Sequence, residues 1–552
     1  MNYLILRLTA IIALVAAGLI NAGLCSAADG RPNILLIVTD DMGYSDIGPF
    51  GGEIDTPNLD ALAKSGMLFT DFHTSASCSP TRSMMLSGTD NHLAGVGSMG
   101  ETITAEQRGK LGYEGYLTDR VVSIPTLLRD SGYFTAMAGK WHLGEELEQD
   151  PFRRGFEKAY TMLTGGASHF DDEWMMYANY TPIYRENGVR THVPKGFYSS
   201  EFYTSKLMEY LDECPAEKPF FGYLAFTAPH DPLHAPDDWV DKYKGAYDVG
   251  YDALRETRLK RLKDLGFIAP DAKPFPRLPT IPAWEELTDD QKKVEARKME
   301  VYAAMIANID HQLGRLFSQL KNSGQWENTL VIFLSDNGAN GLHMHQYSDT
   351  DEAWVERNSD NRFENLGRQF SRVAAGPAWA QVSMTPFRLF KMVVAEGGIR
   401  SPLIMAGPGV EKPGTHSGAF THVMDLAATI LDASQTPHPG TSYQGRTVEP
   451  LRGQSLFPVL SGKADVVHED DTAVSWELFG MRAVRKGDFK LLRLLAPFGP
   501  DEWQLYNLAK DPGETMDLSG QMPELRSEMI EIWNSYSKET GVILPEKSLF
   551  AP

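Results

Sequence analysis

Two apolar segments of the chain end in acidic and amide side chains. The sequence LLIVTDD ends in Asp40 and Asp41, and VIFLSDNG contains Asp336 and Asn337. Branched apolar runs like these are typical of strands buried on both faces of a parallel sheet, and ligands collect at the carboxyl ends of such strands. Oxygen donors without thiolate or imidazole suit a hard divalent cation, Ca²⁺ or Mg²⁺. Because Asp and Asn after a strand also make turns, each pair alone favours a turn, and the metal hypothesis rests on both pairs together.

A single cysteine precedes a proline and an arginine in the stretch SASCSPTRSMML. Ser79 and Pro80 predict the start of a helix, with Ser79 as its N-cap and Pro80 at its first position. Cys78 would then lie at the helix N-terminus, where N–H groups favour an anion, and Arg82 one turn later has the planar fork that oxyanions bind. From these residues alone, Cys78 is either a thiolate nucleophile of low pKa or a buried structural cysteine.

The first 28 residues have the pattern of a secretory signal peptide. They carry one charged side chain, Arg7, followed by an apolar run and the small residues CSAA. A retained anchor helix is the alternative, but the apolar run is short for a bilayer and Asn21 interrupts it. We expect cleavage after Ala27 or Ala28 and export to the periplasm or the medium, with no membrane attachment after cleavage.

Cleavage would leave Cys78 and Cys214 as the cysteines of the mature chain. Two distant cysteines do not make a disulfide scaffold, although they could form a single bridge. The net charge of −21 over 552 residues argues against nucleic acid or another polyanion as a partner. Any anion that the protein handles is therefore expected to be small.

Four apolar runs predict buried strands, at residues 34–38, 219–229, 329–338 and 400–409. Helices are predicted at 56–69 and 288–321, and Thr288 with Gln291 forms a capping-box pattern at the start of the second. Strands that alternate with helices indicate an α/β fold with a large, doubly wound, mostly parallel sheet.

The sequence pattern changes after Gly440. Two strands joined by a turn at residues 486–488, a third strand in WQLYNL and a terminal amphipathic helix at 523–539 predict a smaller C-terminal α+β subdomain. The chain is thus divided into a signal peptide (1–28), a main α/β domain (29–440) and the subdomain (441–552). Two long loops, 165–193 and 341–386, are expected to shape a substrate pocket, with a solvent-exposed position away from the pocket as the alternative.

The motif around Cys78 resembles a family signature. CSPTR, with LSG shortly after it, resembles the C-x-P-x-R signature of type I sulfatases. Further segments match that family in order, namely AGKWHLG, TAPHDPLHAP, LSDNG, RLFKMVVAEGGIRSP, MRAVRKGDFK and LYNLAKDPGE. From Pro32 to about Val542 the chain is most similar to the soluble bacterial arylsulfatases. The resemblance implies the sulfatase fold, which is alkaline-phosphatase-like.

The resemblance implies a chemistry that begins with modification of Cys78. In the family, a formylglycine-generating maturation enzyme oxidises this cysteine to formylglycine (3-oxoalanine), an aldehyde. One hydroxyl of the hydrated aldehyde attacks sulfur and expels the alcohol, and the second releases sulfate from a covalent enzyme sulfate ester. The implied activity is hydrolysis of a small sulfate monoester, preferably an aryl sulfate, by a Ca²⁺-dependent monomer, with Mg²⁺ the less favoured ion.

The resemblance also implies roles for individual residues. The residues that match the metal ligands of the family are Asp40, Asp41, Asp336 and Asn337, to which the modified Cys78 adds an oxygen. Arg82 matches the residue that holds the diol and helps to orient the metal.

Four further residues match the groups that handle sulfate and protons. In GKWHLG, Lys140 matches a sulfate-binding lysine and His142 matches the base that deprotonates the second hydroxyl. His230 and Lys391 match the pair near the leaving oxygen, where His230 would act as a general acid.

Two alternatives share parts of this pattern. Phosphate and phosphonate ester hydrolases use a related scaffold, but phosphatases on it usually carry two metals, whereas Lys140, His142, His230 and Lys391 beside one metal favour sulfate. A non-catalytic binder of sulfated glycans is the alternative from another class. The acidic composition and the complete set of candidate residues argue against it.

Two histidine pairs are interpreted without a metal. His230 and His234 have the spacing of a helical zinc site, but Pro229 and Pro232 preclude that helix. The pair in HMH, at 343 and 345, has no third partner in the sequence and is interpreted as polar surface.

Overall fold

The computed structural model describes residues 30–173, 178, 180–347, 349–547 and 549–550. The signal peptide predicted at residues 1–28 lies outside the described residues. Within these ranges, none of the helices has the length and apolar character needed to cross a membrane.

The described strands form a large central sheet, a two-stranded ribbon and a separate four-stranded sheet. In chain order they are β1 (Asn33–Thr39), β2 (Gly66–His73), β3 (Phe134–Lys140), β4 (Lys158–Met162), β5 (Tyr184–Glu186), β6 (Val189–Thr191), β7 (Phe220–Ala225), β8 (Thr329–Ser335), β9 (Arg400–Ala406), β10 (Thr415–Ser417), β11 (Thr421–His422), β12 (Ser442–Tyr443), β13 (Arg446–Thr447), β14 (Ala473–Leu478), β15 (Met481–Lys486), β16 (Phe489–Arg493) and β17 (Gln504–Asn507).

The described α-helices pack on both faces of the central sheet and, at the end of the chain, on the four-stranded sheet. They are α1 (Pro57–Ser65), α2 (Cys78–Ser87), α3 (Asn91–Ala94), α4 (Ile124–Asp130), α5 (Ser199–Asp212), α6 (Asp237–Val240), α7 (Gly250–Asp264), α8 (Asp289–Asn322), α9 (Glu352–Asn358), α10 (Gly376–Ser383), α11 (Glu396–Ile399), α12 (Val423–Ala433), α13 (Phe457–Leu460) and α14 (Pro523–Thr540). Short 3-10 turns connect several of them.

The central sheet is mixed, with a parallel centre. Its order is β10-β2-β9-β8-β1-β7-β3-β4-β5-β6, with β11 beside β2, and the neighbours from β8 to β4 all run parallel. The predicted mostly parallel sheet is therefore confirmed. The strand predicted at 400–409 exists as β9, but it runs antiparallel to both β8 and β2.

The apolar run of β1 is buried on both sides. Leu35 and Ile37 belong to the core that includes the long helix α8, whereas Ile34, Leu36 and Val38 belong to the core on the opposite face. Burying each such side chain stabilises the fold by about 1.5–3 kcal/mol. This burial fixes β1 at the centre of the sheet, and with it the position of the residues that follow.

The predicted ends agree with the structure for the longer of the two helices and disagree for the shorter one. α8 has the predicted capping box, in which Gln291 N–H donates to Thr288 Oγ1 (3.3 Å) and Thr288 N–H donates to Gln291 Oε1 (2.9 Å). The helix predicted at 56–69 ends at Ser65, because Gly66 breaks it and residues 67–69 pair with β9 instead. That prediction of its end was wrong.

The C-terminal subdomain consists of β14–β17 and the helix α14, and the turn predicted at 486–488 joins β15 to β16. Buried polar contacts attach it to the main sheet. Arg485 donates two hydrogen bonds to Asp71 (2.7 and 3.0 Å), and Trp476 Nε1 donates to Thr74 O (2.9 Å). Asp71 and Thr74, the residues of the main domain in these contacts, lie just before α2 in the chain. The position of the domain boundary after Gly440 stays a prediction.

Candidate active site

The site lies at the carboxyl ends of four neighbouring parallel strands. In the sheet order β8-β1-β7-β3, these strands lead into Asp336, Asp40, His230 and Lys140 respectively. Thr39 pairs with Ser335 in the β1–β8 ladder, so the residues that follow them start side by side. The parallel sheet therefore brings together residues that are almost 300 positions apart in sequence.

The helix α2 brings Cys78 to this edge of the sheet. Cys78 is the first residue of α2 and Ser77 is the N-cap, so the prediction of Ser79 as N-cap was wrong. Ser79 is instead fully buried inside the first turn, one residue before Pro80. Arg82 is 0% exposed and donates through Nε and Nη2 to Asp336 Oδ2 (3.0 and 2.7 Å). One helix thus presents the cysteine and fixes one of the carboxylates.

The acidic residues have the properties of a cation site. Asp40 Oδ1 and Asn337 Oδ1 are buried without a hydrogen-bond partner, an arrangement that is costly unless a cation takes the lone pairs. Ligand atoms of Asp40, Cys78 and Asp336 lie within 4.8 Å of one another. Burial and the neighbouring Asp40 raise the pKa of Asp336, so the cluster holds excess negative charge. The predicted oxygen ligands fit a hard divalent ion.

Two lysines neutralise part of this charge. Lys140 Nζ lies 2.6 Å from Asp40 Oδ2, and Lys391 Nζ lies 2.7 Å from Asp41 Oδ1. Asn337 Nδ2 donates to the same Asp41 oxygen at 2.6 Å. The residues predicted to bind the metal and the sulfate group therefore form one buried network.

Several site residues have strained backbones. Asp41 and His142 have φ values of 67° and 56°, in the left-handed region that non-glycine residues rarely adopt. Leu389 and Met392, on either side of Lys391, have φ values of 62° and 74°. Such strain costs on the order of 1–3 kcal/mol per residue and clusters at functional sites.

His142 faces Cys78 and is held from behind by Glu101. Its Nδ1 lies 3.3 Å from Cys78 Sγ and its Nε2 lies 3.2 Å from Glu101 Oε1. Burial alone would lower the pKa of His142, but Glu101 and Cys78 raise it to about 9. Burial would raise the pKa of the Cys78 thiol, but Lys140, Lys391 and His142 lower it to about 6. The site therefore stabilises an anion at position 78.

His230 has the opposite electrostatic environment. Its Nδ1 donates to the Asp231 carbonyl oxygen (2.8 Å), which leaves Nε2 towards the site, 3.4 Å from Asp41 Oδ2. Burial and the charge of Lys391 lower the pKa of His230 well below its usual range, so the imidazole is neutral. His234 points away, with Nε2 bonded to Ser371 O (2.9 Å), which agrees with the interpretation that these two histidines do not form a zinc site.

Comparison of the sequence with known protein families assigns the chain that has this site to a family. The sulfatase family model matches residues 32–436, and the model of the N-sulphoglucosamine sulphohydrolase C-terminal region matches residues 387–537. The first match covers well over half of the chain.

The chain belongs to the sulfatase family.

Individual relatives agree with this sulfatase assignment. An uncharacterized sulfatase of Schizosaccharomyces pombe is 44% identical over 534 residues, covering 94% of this chain and 95% of that protein. An arylsulfatase of Klebsiella aerogenes is 42% identical over 462 residues, covering 83% of this chain and 97% of that protein. The crystal structure of Ps i-CgsB in complex with k-i-k-neocarrahexaose has a TM-score of 0.66 at 24% identity, over 92% of this chain and 93% of that one, which shows a shared fold. The predicted family and fold are confirmed.

A cavity of about 580 Å³ opens onto Cys78 in this sulfatase, and we refer to it as the proximal cavity. The loop predicted at 341–386 contributes several of its walls, including Leu342, His343 and Tyr347, whereas the described part of the loop at 165–193 contributes Gly165. His343, one residue of the HMH pair interpreted as polar surface, is partly exposed and lines this cavity.

Several other residues of the site were not predicted from the sequence. The proximal cavity is also lined by Leu278, Phe498 and Phe550, from three separate segments. Glu101, which holds His142, lies in a 3-10 turn (Gly100–Thr102) with no motif around it. Glu101 also lines the proximal cavity, but its spacing in the sequence gives no signal of either contact. Cys78 and Cys214 form no disulfide.

Proposed function

We propose that this sulfatase hydrolyses a small aryl sulfate monoester to a phenol and inorganic sulfate. The observation that carries the proposal is the position of Cys78, at the point where the acidic cluster, Lys140, Lys391 and His142 meet. Such a site accepts a compact anion next to a nucleophile and excludes a polymer from its buried end. Identity of 42% to the Klebsiella arylsulfatase supports the aryl preference.

Residue 78 would act as formylglycine, formed from Cys78 by a maturation enzyme. The hydrate of formylglycine would supply the oxygen that attacks the sulfur atom of the ester. In the unmodified chain, Cys78 Sγ stands in the place of that oxygen. Asp40, Asp41, Asp336 and Asn337 would hold the metal, which we propose to be Ca²⁺, together with residue 78. A bound Ca²⁺ neutralises sulfate oxygens and supports the nucleophile.

The cationic side chains bind and orient the sulfate group. Lys140 and Lys391 provide point charges from two sides, and their carboxylate partners hold both Nζ atoms in place. Arg82 donates hydrogen bonds to Asp336, Tyr223 and the Lys140 carbonyl oxygen, so we propose that it positions Asp336 for the metal. Its role is to hold the carboxylate and the start of α2 together.

The two histidines would move protons at different stages. His142 faces residue 78 through Nδ1, and Glu101 at Nε2 favours the protonated ring. The Cys78 charge that helps to raise the pKa of His142 is absent when residue 78 is a diol. Neutral His142 would then remove the proton from the second hydroxyl of residue 78, and Glu101 would stabilise the imidazolium that forms. His230 lies near Lys391 on the other side of the site and is proposed to give a proton to the leaving oxygen. Its pKa is low in the free protein, and the negative charge of a bound sulfate ester favours its protonation.

The proposal is tested by turnover of 4-nitrophenyl sulfate and 4-nitrophenyl phosphate by the protein produced together with a formylglycine-generating enzyme. We expect the sulfate ester to be hydrolysed with at least about 10²-fold higher kcat/KM, because a site with one metal places less positive charge on the transferred group than the two-metal sites usual in phosphatases, and a sulfate monoester carries less negative charge than a phosphate monoester. Protein produced without the maturation enzyme is the control and should be inactive. Preference for the phosphate would favour the alternative hydrolase, and failure to turn over either ester with residue 78 modified would favour a glycan binder.

The metal ligands can be tested by Asp336→Asn, with Asp231→Asn as a matched control. Asp231 is also a buried carboxylate, but it is bonded to Asn340 Nδ2 (2.7 Å) and the Tyr347 hydroxyl (3.1 Å), not to the cluster. We expect Asp336→Asn to lose bound calcium and to lower kcat/KM by about 10³-fold, since several kcal/mol of charge stabilisation is lost. Elemental analysis and kinetics measure both effects. Retention of one equivalent of calcium by Asp336→Asn, or its loss from Asp231→Asn, would contradict the ligand assignment.

We also propose that residues 1–28 are a signal peptide, that the mature protein is exported to the periplasm or the medium, and that it is a monomer. The sequence pattern of the N-terminus supports export, and the acidic composition is compatible with a protein that has no polyanionic partner.

A further inference from the structure

A second cavity adjoins the proximal cavity. It has a volume of about 400 Å³, and we refer to it as the distal cavity. Thr280, His343 and Pro377 line both cavities, so they form the border between the two. The space beside Cys78 therefore continues past this border towards the beginning of α8.

The floor of the distal cavity is apolar and its rim is acidic. Ile281, Leu287, Val294 and Ala378 supply apolar surface. Asp290 and Glu295, from the first turns of α8, lie at its edge. Each carboxylate is ion-paired with a lysine on the same helix, Asp290 with Lys293 (3.1 Å) and Glu295 with Lys298 (2.6 Å). Both lysines are thus already engaged, and the apolar surface of the cavity favours an uncharged apolar group over a sulfate or a carboxylate.

The two cavities offer little positive charge beyond the sulfate site. Among the described residues that line them, Lys391 is the one lysine or arginine, and it is paired with Asp41. A second sulfate or a carboxylate on the alcohol would lack a cation partner, and its desolvation would be uncompensated. The alcohol part of the substrate should therefore be uncharged.

The border between the cavities is flat and uncharged. The His343 ring stacks on His345 with centroids 5.5 Å apart, and burial lowers the pKa of His343 to about 4. Gly376 lies against the same ring, because a Cβ added there would be 3.1 Å from His343 Cε1. The absence of a side chain at Gly376 leaves room for the ring, and the passage beside it is bounded by aromatic and proline surface.

We infer that the alcohol of the substrate is an extended apolar group, which fills the proximal cavity with an aromatic ring and passes Thr280, His343 and Pro377 into the distal cavity. A single nitrophenyl ring occupies only part of a cavity of 580 Å³, whereas pockets of several hundred Å³ enclose drug-sized ligands. The inference rests on the proposed sulfate ester hydrolysis and adds the length and the apolar character of the alcohol.

The experiment is a series of 4-alkylphenyl sulfates from methyl to octyl. A para-alkyl chain hardly changes the acidity of the phenol, so the chemical step stays constant while the chain lengthens. We expect kcat/KM to rise by roughly two- to fourfold for each methylene that reaches the distal cavity, as expected for burial of a CH₂ group. Val294→Lys puts a charge on the floor of the distal cavity. It should remove the rise in kcat/KM with chain length and leave kcat/KM for 4-methylphenyl sulfate unchanged.

Two controls make the outcomes distinct. Val189→Lys changes an exposed valine (70% exposed) on the edge strand β6 and should keep the full rise with chain length. If Val294→Lys does not fold, Ala378→Gln, which narrows the same cavity, replaces it. A flat or falling series in the wild-type protein, with good turnover of the methyl member, overturns the inference and leaves the proposed function intact. No turnover of any member overturns both.

Discussion

Replacement of Cys78 by alanine is expected to reduce kcat by roughly 10⁴-fold or more, the loss that follows removal of an enzyme nucleophile. The variant should still fold. The cysteine lies at the first residue of α2 facing His142, and the substitution removes one sulfur atom from the wall of a cavity, a change that costs on the order of 1 kcal/mol. Thermal unfolding followed by circular dichroism, beside kinetics with 4-nitrophenyl sulfate, measures the two effects separately.

Cys214→Ala is the matched control, because it alters the other cysteine of the predicted mature chain. Cys214 lies just after α5 and does not line the proximal cavity, so its replacement should leave kcat within about twofold of the wild-type value. Mass spectrometry of the peptide that contains residue 78 should give the mass of an aldehyde in the active protein. An unmodified thiol in a fully active preparation would refute the formylglycine proposal. In that case the thiolate itself, with its pKa lowered to about 6, would be the nucleophile.

The position of the metal residues could be predicted because it depends on local sequence and one topological rule. A run such as LLIVTDD is buried on both faces only in the middle of a sheet, and parallel strands bring their carboxyl ends to the same edge. Asp40 and Asp336 follow two such runs, and the β1–β8 register places them side by side. The direction of β9 did not follow from this reasoning, because an apolar run does not encode whether its neighbours run parallel to it.

Residues that act through hydrogen bonds between distant segments could not be predicted. Glu101 is linked to the site by its contact with His142, 41 positions away, and no pattern precedes it. The walls formed by Leu278, Phe498 and Phe550 come from segments whose meeting depends on how the C-terminal subdomain packs on the sheet. The prediction of Ser79 as the N-cap was wrong for a local reason. Ser77 adopts the extended conformation before the helix, and α2 therefore begins at Cys78.

His230→Ala is expected to have an effect whose size depends on the alcohol. A nitrophenolate leaves with little help, whereas an alkyl alkoxide needs a proton in the transition state. We expect a loss of at most about tenfold on 4-nitrophenyl sulfate and of roughly 10²–10⁴-fold on an alkyl sulfate, the usual contribution of a positioned general acid. The measurement is kcat/KM over sulfate esters of graded leaving-group pKa, for the variant and the wild-type protein.

Lys391 is the other candidate that could donate a proton to the leaving oxygen of the ester. Burial would lower the pKa of Lys391, but Asp41 raises it, so the amine carries a proton at neutral pH. His230 is neutral before substrate binds, because burial and Lys391 lower its pKa. His230 must therefore take up its proton with the substrate, whereas Lys391 holds one throughout. Lys391→Ala belongs in the same series of esters for this reason.

His142→Ala is the control that separates the two stages of the reaction. His142 faces residue 78 and not the alcohol, so its loss should slow sulfate release equally for all esters and leave sulfate attached to residue 78. Intact-protein mass spectrometry after mixing with substrate would detect that sulfate. If the His142 and His230 variants show the same dependence on the leaving group and neither retains sulfate, the division of roles between the histidines is wrong. If the dependence is steep in Lys391→Ala and flat in His230→Ala, the proton that reaches the alcohol comes from Lys391.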